Sequence, residues 1–200
     1  MKAFAVTQSH IDQALIKVEQ IKKEAGSQHK AESITNGTSY LGAFIGEIIM
    51  CEALGAENIS TSKGISKFNF DIYYKKWKFD AKLKFRANAP RLEEDEASVA
   101  KSSLHQKCHG YFFLNIHNPH IESFDRENPL HYEGAILTFC GFQGKKKYLE
   151  NAEFHWKGKP FKNIKPNGKP FKCLTDMYNR FYNELGTYEE LLEIPERIIK

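Results

Sequence analysis

The stretch F-N-F-D-I-Y-Y-K-K-W-K-F-D-A-K-L-K-F-R, Phe68 to Arg86, decides the fold. Phe68, Phe70, Ile72 and Tyr74 alternate with Asn69, Asp71 and Tyr73. Trp77, Phe79, Ala81, Leu83 and Phe85 alternate with Lys78, Asp80, Lys82, Lys84 and Arg86. A period of two over this length marks β-strands with one buried face. A turn centred on Lys75-Lys76 pairs Tyr74 with Trp77, Ile72 with Phe79 and Asp71 with Asp80. A one-residue slip would set apolar side chains against polar ones, so the pattern fixes its own register.

That register predicts two carboxylates opposite each other, with Cβ atoms about 4.5–5.5 Å apart, where like charges cost stability unless offset. Lys82 projects from the same face, about 6.8 Å further along the strand. Hard divalent cations such as Mg²⁺ sit on one or two carboxylates plus substrate phosphates. A lysine beside such an ion can orient or deprotonate an attacking water. Phosphodiester hydrolysis needs this combination.

Asp71, followed on the next strand by Asp80-Ala81-Lys82, resembles the active-site signature of the PD-(D/E)XK nucleases. The resemblance covers about Ser39 to His117, and phage-encoded members look closest. Phe70 stands where the signature's proline would be. The resemblance implies a restriction-endonuclease-like α/β core, a central mixed β-sheet flanked by helices. It implies Mg²⁺ or Mn²⁺ as cofactor, DNA as partner, and a cytoplasmic setting in a bacterial or phage-infected cell. Dimerisation is frequent in such enzymes, so a homodimer is a further expectation. Asp71 and Asp80 would hold the metal, a helical Glu47 would assist, and Lys82 would position the water. In some relatives a glutamine on a later helix orients water or phosphate, and Gln106 matches it.

Outward from the hairpin, Gln8 to Ala25 reads as a helix with Ser9 as cap and its lysines on a solvated face. Ser27 to Gly37 reads as a polar loop. Thr38 or Ser39 caps a second helix ending at Gly55, with Leu41, Phe44, Ile45, Ile48 and Ile49 as its apolar stripe. Gly42 and Gly46 permit a close backbone approach to a neighbour, and Glu47 sits at the stripe's edge. After Pro90, the acids Glu93 to Glu96 predict a helix to about His109, since acids suit a helix's positive end. His105, Cys108 and His109 lack the second pair a zinc site needs, and read as a helix end. Tyr111 to His117 is a nearly continuous apolar run, as expected of a central strand. Gly134 to Phe142 predicts another strand, Gln143-Gly144 a turn, and Tyr148 to Trp156 a returning strand or irregular ribbon.

Lys145 to Lys172 holds nine lysines against two acids, with aromatics interleaved and G-K-P-F-K occurring twice. Glycine and proline predict an extended, turn-rich segment. Lys145, Lys146 and Lys147, together with Lys84 and Arg86 on the hairpin, are the expected phosphate contacts. Thr175 to Leu185 predicts a short amphipathic helix, and Tyr188 to Leu192 another turn of helix.

The net charge of +4 is compatible with a polyanionic partner. The four scattered cysteines contain no C-x-x-C, so reduced thiols are expected. No run of about 18 apolar residues exists to span a membrane. Length predicts one domain. Residues 1–37 form an N-terminal helix and loop, 38–142 the core, and 143–200 a basic aromatic-rich extension with a C-terminal helix. The rival readings are a non-catalytic nucleic-acid-binding protein on the same scaffold and a protein-interaction domain.

Overall fold

The computed structural model describes residues 1–25, 40–59, 70–164 and 170–198. Phe68 and Asn69, the Thr38 or Ser39 cap, the Ser27 to Gly37 loop and much of the second G-K-P-F-K repeat lie outside these residues. The elements in chain order are β1 (Lys2–Ala5), α1 (Gln8–Ala25), α2 (Tyr40–Leu54), β2 (Glu57–Asn58), β3 (Ile72–Tyr74), β4 (Trp77–Phe85), β5 (Glu96–Ala100) and β6 (Gly110–His117). There follow β7 (Ile136–Gly144), α3 (Lys145–Asn151), β8 (Glu153–His155), β9 (Pro160–Ile164), β10 (Pro170–Lys172), β11 (Met177–Phe181) and α4 (Tyr188–Glu193).

The hairpin forms in the predicted register: Ile72 faces Phe79, Tyr73 faces Lys78 and Tyr74 faces Trp77. Lys75 and Lys76 take positive φ values of 47° and 63°, the tight turn whose twist suits a hairpin. The six-stranded sheet runs β1-β7-β6-β4-β3-β2, with β4 and β6 parallel and the other neighbours antiparallel. Cys140 is an extra residue in β7 opposite the Phe113–Leu114 step, and this bulge helps the sheet to curl. All of β6 is buried, because both faces of the sheet are covered.

One face carries Phe79, Phe112, Leu114, Leu137 and Phe139, and packs against α1 and α2. Here the two glycines of α2 do as predicted. A Cβ on Gly42 would lie 2.3 Å from the Phe85 ring, and one on Gly46 would lie 3.2 Å from Leu114. The other face carries Tyr111, Phe113 and Cys140, and packs against Val99, Tyr148 and Tyr182. Those three come from a second, three-stranded sheet (β5-β11-β8), from α3 and from the turn after β11. The chain is thus a mixed α/β domain with a curled mixed central sheet flanked by helices. No helix among the described residues is long and apolar enough to cross a membrane.

Four local expectations are corrected. The helix expected from Glu93 to His109 is strand β5 followed by one 3-10 turn, Lys101–Ser103. Its residues alternate in burial, with Ala97 and Val99 inside, and Asp95 binds Arg86 and the Arg91 amide instead of a helix start. The helix expected from Thr175 to Leu185 is β11, which pairs with β5 from Met177–Ala100 to Phe181–Glu96. The turn at Gln143-Gly144 is absent: β7 runs straight into α3, and Tyr148 lies on that helix, donating from its hydroxyl to Ala97 O and Tyr178 O. Thr7 rather than Ser9 caps α1, its Oγ1 accepting from the His10 amide while His10 Nδ1 accepts from the Thr7 amide.

Candidate active site

The acids gather where β3 gives out. Asp71 lies one residue before the β3 ladder; its amide still donates to Phe79 O at 2.9 Å. Its carboxyl stays within hydrogen-bonding reach of the Asp80 side chain. It turns onto β4, where Oδ2 accepts the Ala81 amide at 2.7 Å. Asp80, 2% exposed, follows from β4 with Lys82 two residues on, and Asp80 Oδ2 lies 2.5 Å from Lys82 Nζ. Gln106 closes a triangle: its Nε2 donates to Asp80 Oδ1 and its Oε1 accepts from Lys82 Nζ, both at 3.1 Å.

Glu47 is buried on α2, 5% exposed, and its charge is felt by Asp71. Burial is the largest force raising the Asp71 carboxyl well above the ordinary carboxylate range. Glu47 comes next and Asp80 after it, and only the Ala81 amide pulls the other way. Lys82 behaves oppositely. Burial pushes its amine down, but the combined attraction of Asp80 and Asp71 prevails and its pKa is raised. The cluster is therefore short of positive charge around Asp71.

Asp80, Lys82 and Gln106 touch one another directly, and Asp71, just before β3, feels the Asp80 and Glu47 charges, so the five residues expected at the centre lie near one another. Gln106 arrives there on a turn, not on the predicted helix. That turn is held by Lys145, whose Nζ donates to Leu104 O at 2.7 Å and Gln106 O at 2.6 Å. The sequence assigns Lys145 to phosphate; its amine instead positions Gln106. Lys17, expected on a solvated face, is 8% exposed and sits near Glu47. Burial lowers its pKa while Glu47 opposes that shift. The α1 periodicity places Lys17 one step from the apolar Val18, which is the available signal.

The other predicted phosphate contacts divide. Lys84 Nζ points inward to Glu96 O and Ser98 Oγ, each at 2.7 Å, and Arg86 pairs with Asp95 at 2.6 Å. Lys146 and Lys147 are exposed on α3. His105 and His109 are occupied by backbone groups, His105 Nδ1 meeting Ser102 O and His109 Nδ1 accepting the Lys78 amide.

Asp71, Asp80 and Glu47 supply hard oxygen donors, the type that Mg²⁺ and Mn²⁺ prefer. Among the described residues no three His, Cys, Asp or Glu side chains are spaced to enclose an ion by themselves. The fit is that of an ion held by one or two carboxylates with substrate oxygens completing the shell. A cation here would offset the repulsion among these acids that raises the Asp71 pKa. No protein-family model, no curated protein and no solved structure matches the chain.

Proposed function

We propose that this protein is a divalent-metal-dependent nuclease of the PD-(D/E)XK type, with a restriction-endonuclease-like core, that hydrolyses DNA phosphodiester bonds. The observation that carries the reading is the proximity of Asp71, Asp80 and Lys82 at the start of β3 and along β4, with the Glu47 charge acting on Asp71. A purely structural hairpin has no use for three acids crowded into one place. Taking acids out of water without full compensation is costly, and such clusters are where functional chemistry concentrates.

Asp71 and Asp80 would hold the ion, with Glu47 supporting from α2. When bound, Mg²⁺ neutralises charge developing on the phosphate and makes water a better nucleophile. Lys82 donates hydrogen bonds to a water or a phosphate oxygen beside Asp80. Gln106 fixes the Lys82 amine through Oε1 and Asp80 through Nε2, so both groups are preorganised. Lys145 holds the turn on which Gln106 rides. Lys146 and Lys147 reach outward to phosphates away from the reacting one.

The test is cleavage of labelled DNA with and without Mg²⁺ or Mn²⁺, comparing wild type with Lys82→Ala. Wild type should cut only with the ion. Lys82→Ala should lose about 10²- to 10⁴-fold in rate, the usual range for a positioned proton-handling group. Ion-independent cutting, or equal rates for the two proteins, would overturn the assignment.

A further inference from the structure

A cavity of about 490 Å³ opens between the polar face of β4 and the inner face of the β5–β11 sheet. Lys82 forms part of its wall, so the cavity adjoins the reacting centre. Its lining mixes two chemistries. Leu83, Ala100, Phe113 and Met177 provide apolar surface, while Lys84 and Asn179 provide polar groups.

Lys84 is the informative residue. Its ammonium is held by a carbonyl and a hydroxyl, and no carboxylate lies within ion-pair distance of it among the described residues. The nearby acids are engaged elsewhere: Asp95 by Arg86, and Glu96 Oε2 by the Asn179 amide nitrogen. Burial, reinforced by Arg86, accordingly pushes the Lys84 pKa down to about 8. Two buried polar atoms of the wall also lack partners, Asn179 Oδ1 and Arg86 Nε. Asn179 is 3% exposed. A cavity with a cation that forms no ion pair and an apolar wall suits a ligand that is anionic at one end and flat and apolar at the other.

A nucleotide is such a ligand. Pockets for one small molecule span about 300–1,000 Å³, and this one falls within that range. A duplex cannot enter it, because the major groove alone is about 12 Å wide. We infer that the cavity receives one unpaired nucleotide of the substrate strand, with its phosphate at Lys84, so that the protein acts on single-stranded DNA or on unpaired ends. This rests on the nuclease reading for its substrate class. The shared wall at Lys82 is what connects the two sites.

The experiment is binding without chemistry, in EDTA, of fluorescein-labelled dT12 and of a blunt 12-base-pair duplex. Wild type should bind dT12 at least tenfold more tightly than the duplex. Lys84→Met keeps the length of the side chain and removes a buried charge, so it should fold. It should weaken dT12 binding about fivefold or more, and lower the slope of log K against log salt by about 0.7, the value for one phosphate on a single strand. Ser103→Trp, which fills the cavity from its wall, should weaken dT12 and leave the duplex unchanged. A duplex bound as tightly as dT12 by wild type overturns the inference. So does unchanged dT12 binding by both folded variants. Tight dT12 binding with no ion-dependent cleavage would sink the nuclease reading alone. Ion-dependent cleavage of duplex with no preference for dT12 would sink the cavity inference alone.

Discussion

At the scale of single residues, the site is a set of charges folded closer together than water would allow. Burial, Glu47 and Asp80 all resist the ionisation of Asp71 and hold its carboxyl above the ordinary carboxylate range. Lys82 keeps its charge because Asp80 and Asp71 outweigh its burial. At Lys84, four residues beyond Asp80, Glu96 and Asp95 pull the same way but burial and Arg86 outweigh them. The Lys84 pKa is about 8 folded against an ordinary 10.5, so between those values the unfolded chain binds more protons than the folded one. Stability linked to Lys84 is therefore reduced in full below about pH 8 and recovered as pH rises toward 10.5. Urea titrations across this window should show wild type gaining on the order of 1–3 kcal/mol relative to Lys84→Met, at about 1.4 kcal/mol per unit less what solvent screening removes. Parallel pH profiles for the two proteins would show that Lys84 is hydrated and not confined as described.

At the scale of elements, the β3–β4 hairpin is legible in the sequence because period-two alternation and a two-residue turn are both local signals. Its acids are legible for the same reason, although the swing of Asp71 onto the Ala81 amide is not. A side chain at a strand's end is free of the ladder, and the pattern says nothing about its direction. Strands β5 and β11 read as helices in the sequence because their pairing is with each other, far apart along the chain. Glu93 to Glu96 looks like a helix start, whereas Asp95 is the partner of Arg86, the residue just after β4. The apolar spacing of Tyr178, Phe181 and Tyr182 also fits a helix, until β5 offers a strand to pair with. Gln106 is therefore reached from the sequence for a partly wrong reason. The turn itself yields a prediction. Lys76 has φ of 63° and an exposed ion pair with Glu196, so Lys76→Gly relieves the left-handed backbone at little cost. It should raise stability by roughly 0.5 kcal/mol. Lys75→Gly should instead lower it by about 1–2 kcal/mol, since Lys75 Nζ donates to Leu192 O and Ile194 O. Chemical denaturation of the two variants checks the contrast, and equal shifts would mean that the C-terminal segment does not dock on the turn.

At the scale of the molecule, two layers cover the two faces of the central sheet. Helices α1 and α2 bring Lys17 and Glu47 from one side, and the β5–β11–β8 layer with α3 brings Gln106 and Lys145 from the other. The three lysines at the start of α3 should therefore differ in effect. Reversing charge at Lys146 and Lys147 should flatten the salt dependence of DNA binding by about 0.7–0.9 for each phosphate no longer neutralised, with little effect on rate at saturation. Lys145→Ala should leave the slope unchanged and slow cleavage, because it frees the turn that carries Gln106. A salt titration beside a saturating rate measurement separates the two, and a slope that drops for Lys145→Ala would return that residue to the DNA surface. The central claim is that Asp71 and Asp80 form a cation site, and thermal melting of wild type and Asp80→Asn with and without Mn²⁺ tests it most directly. Wild type should gain about 2.7 kcal/mol when Mn²⁺ is a hundred times its dissociation constant. Asp80→Asn should melt lower than wild type in EDTA, because it leaves the buried Lys82 amine without its carboxylate, and should also lose most of the Mn²⁺-dependent gain. The contradicting result is a wild type indifferent to Mn²⁺, or an Asp80→Asn variant that gains as much from Mn²⁺ as wild type does. Asp80 would then be a structural partner of Lys82 and nothing more.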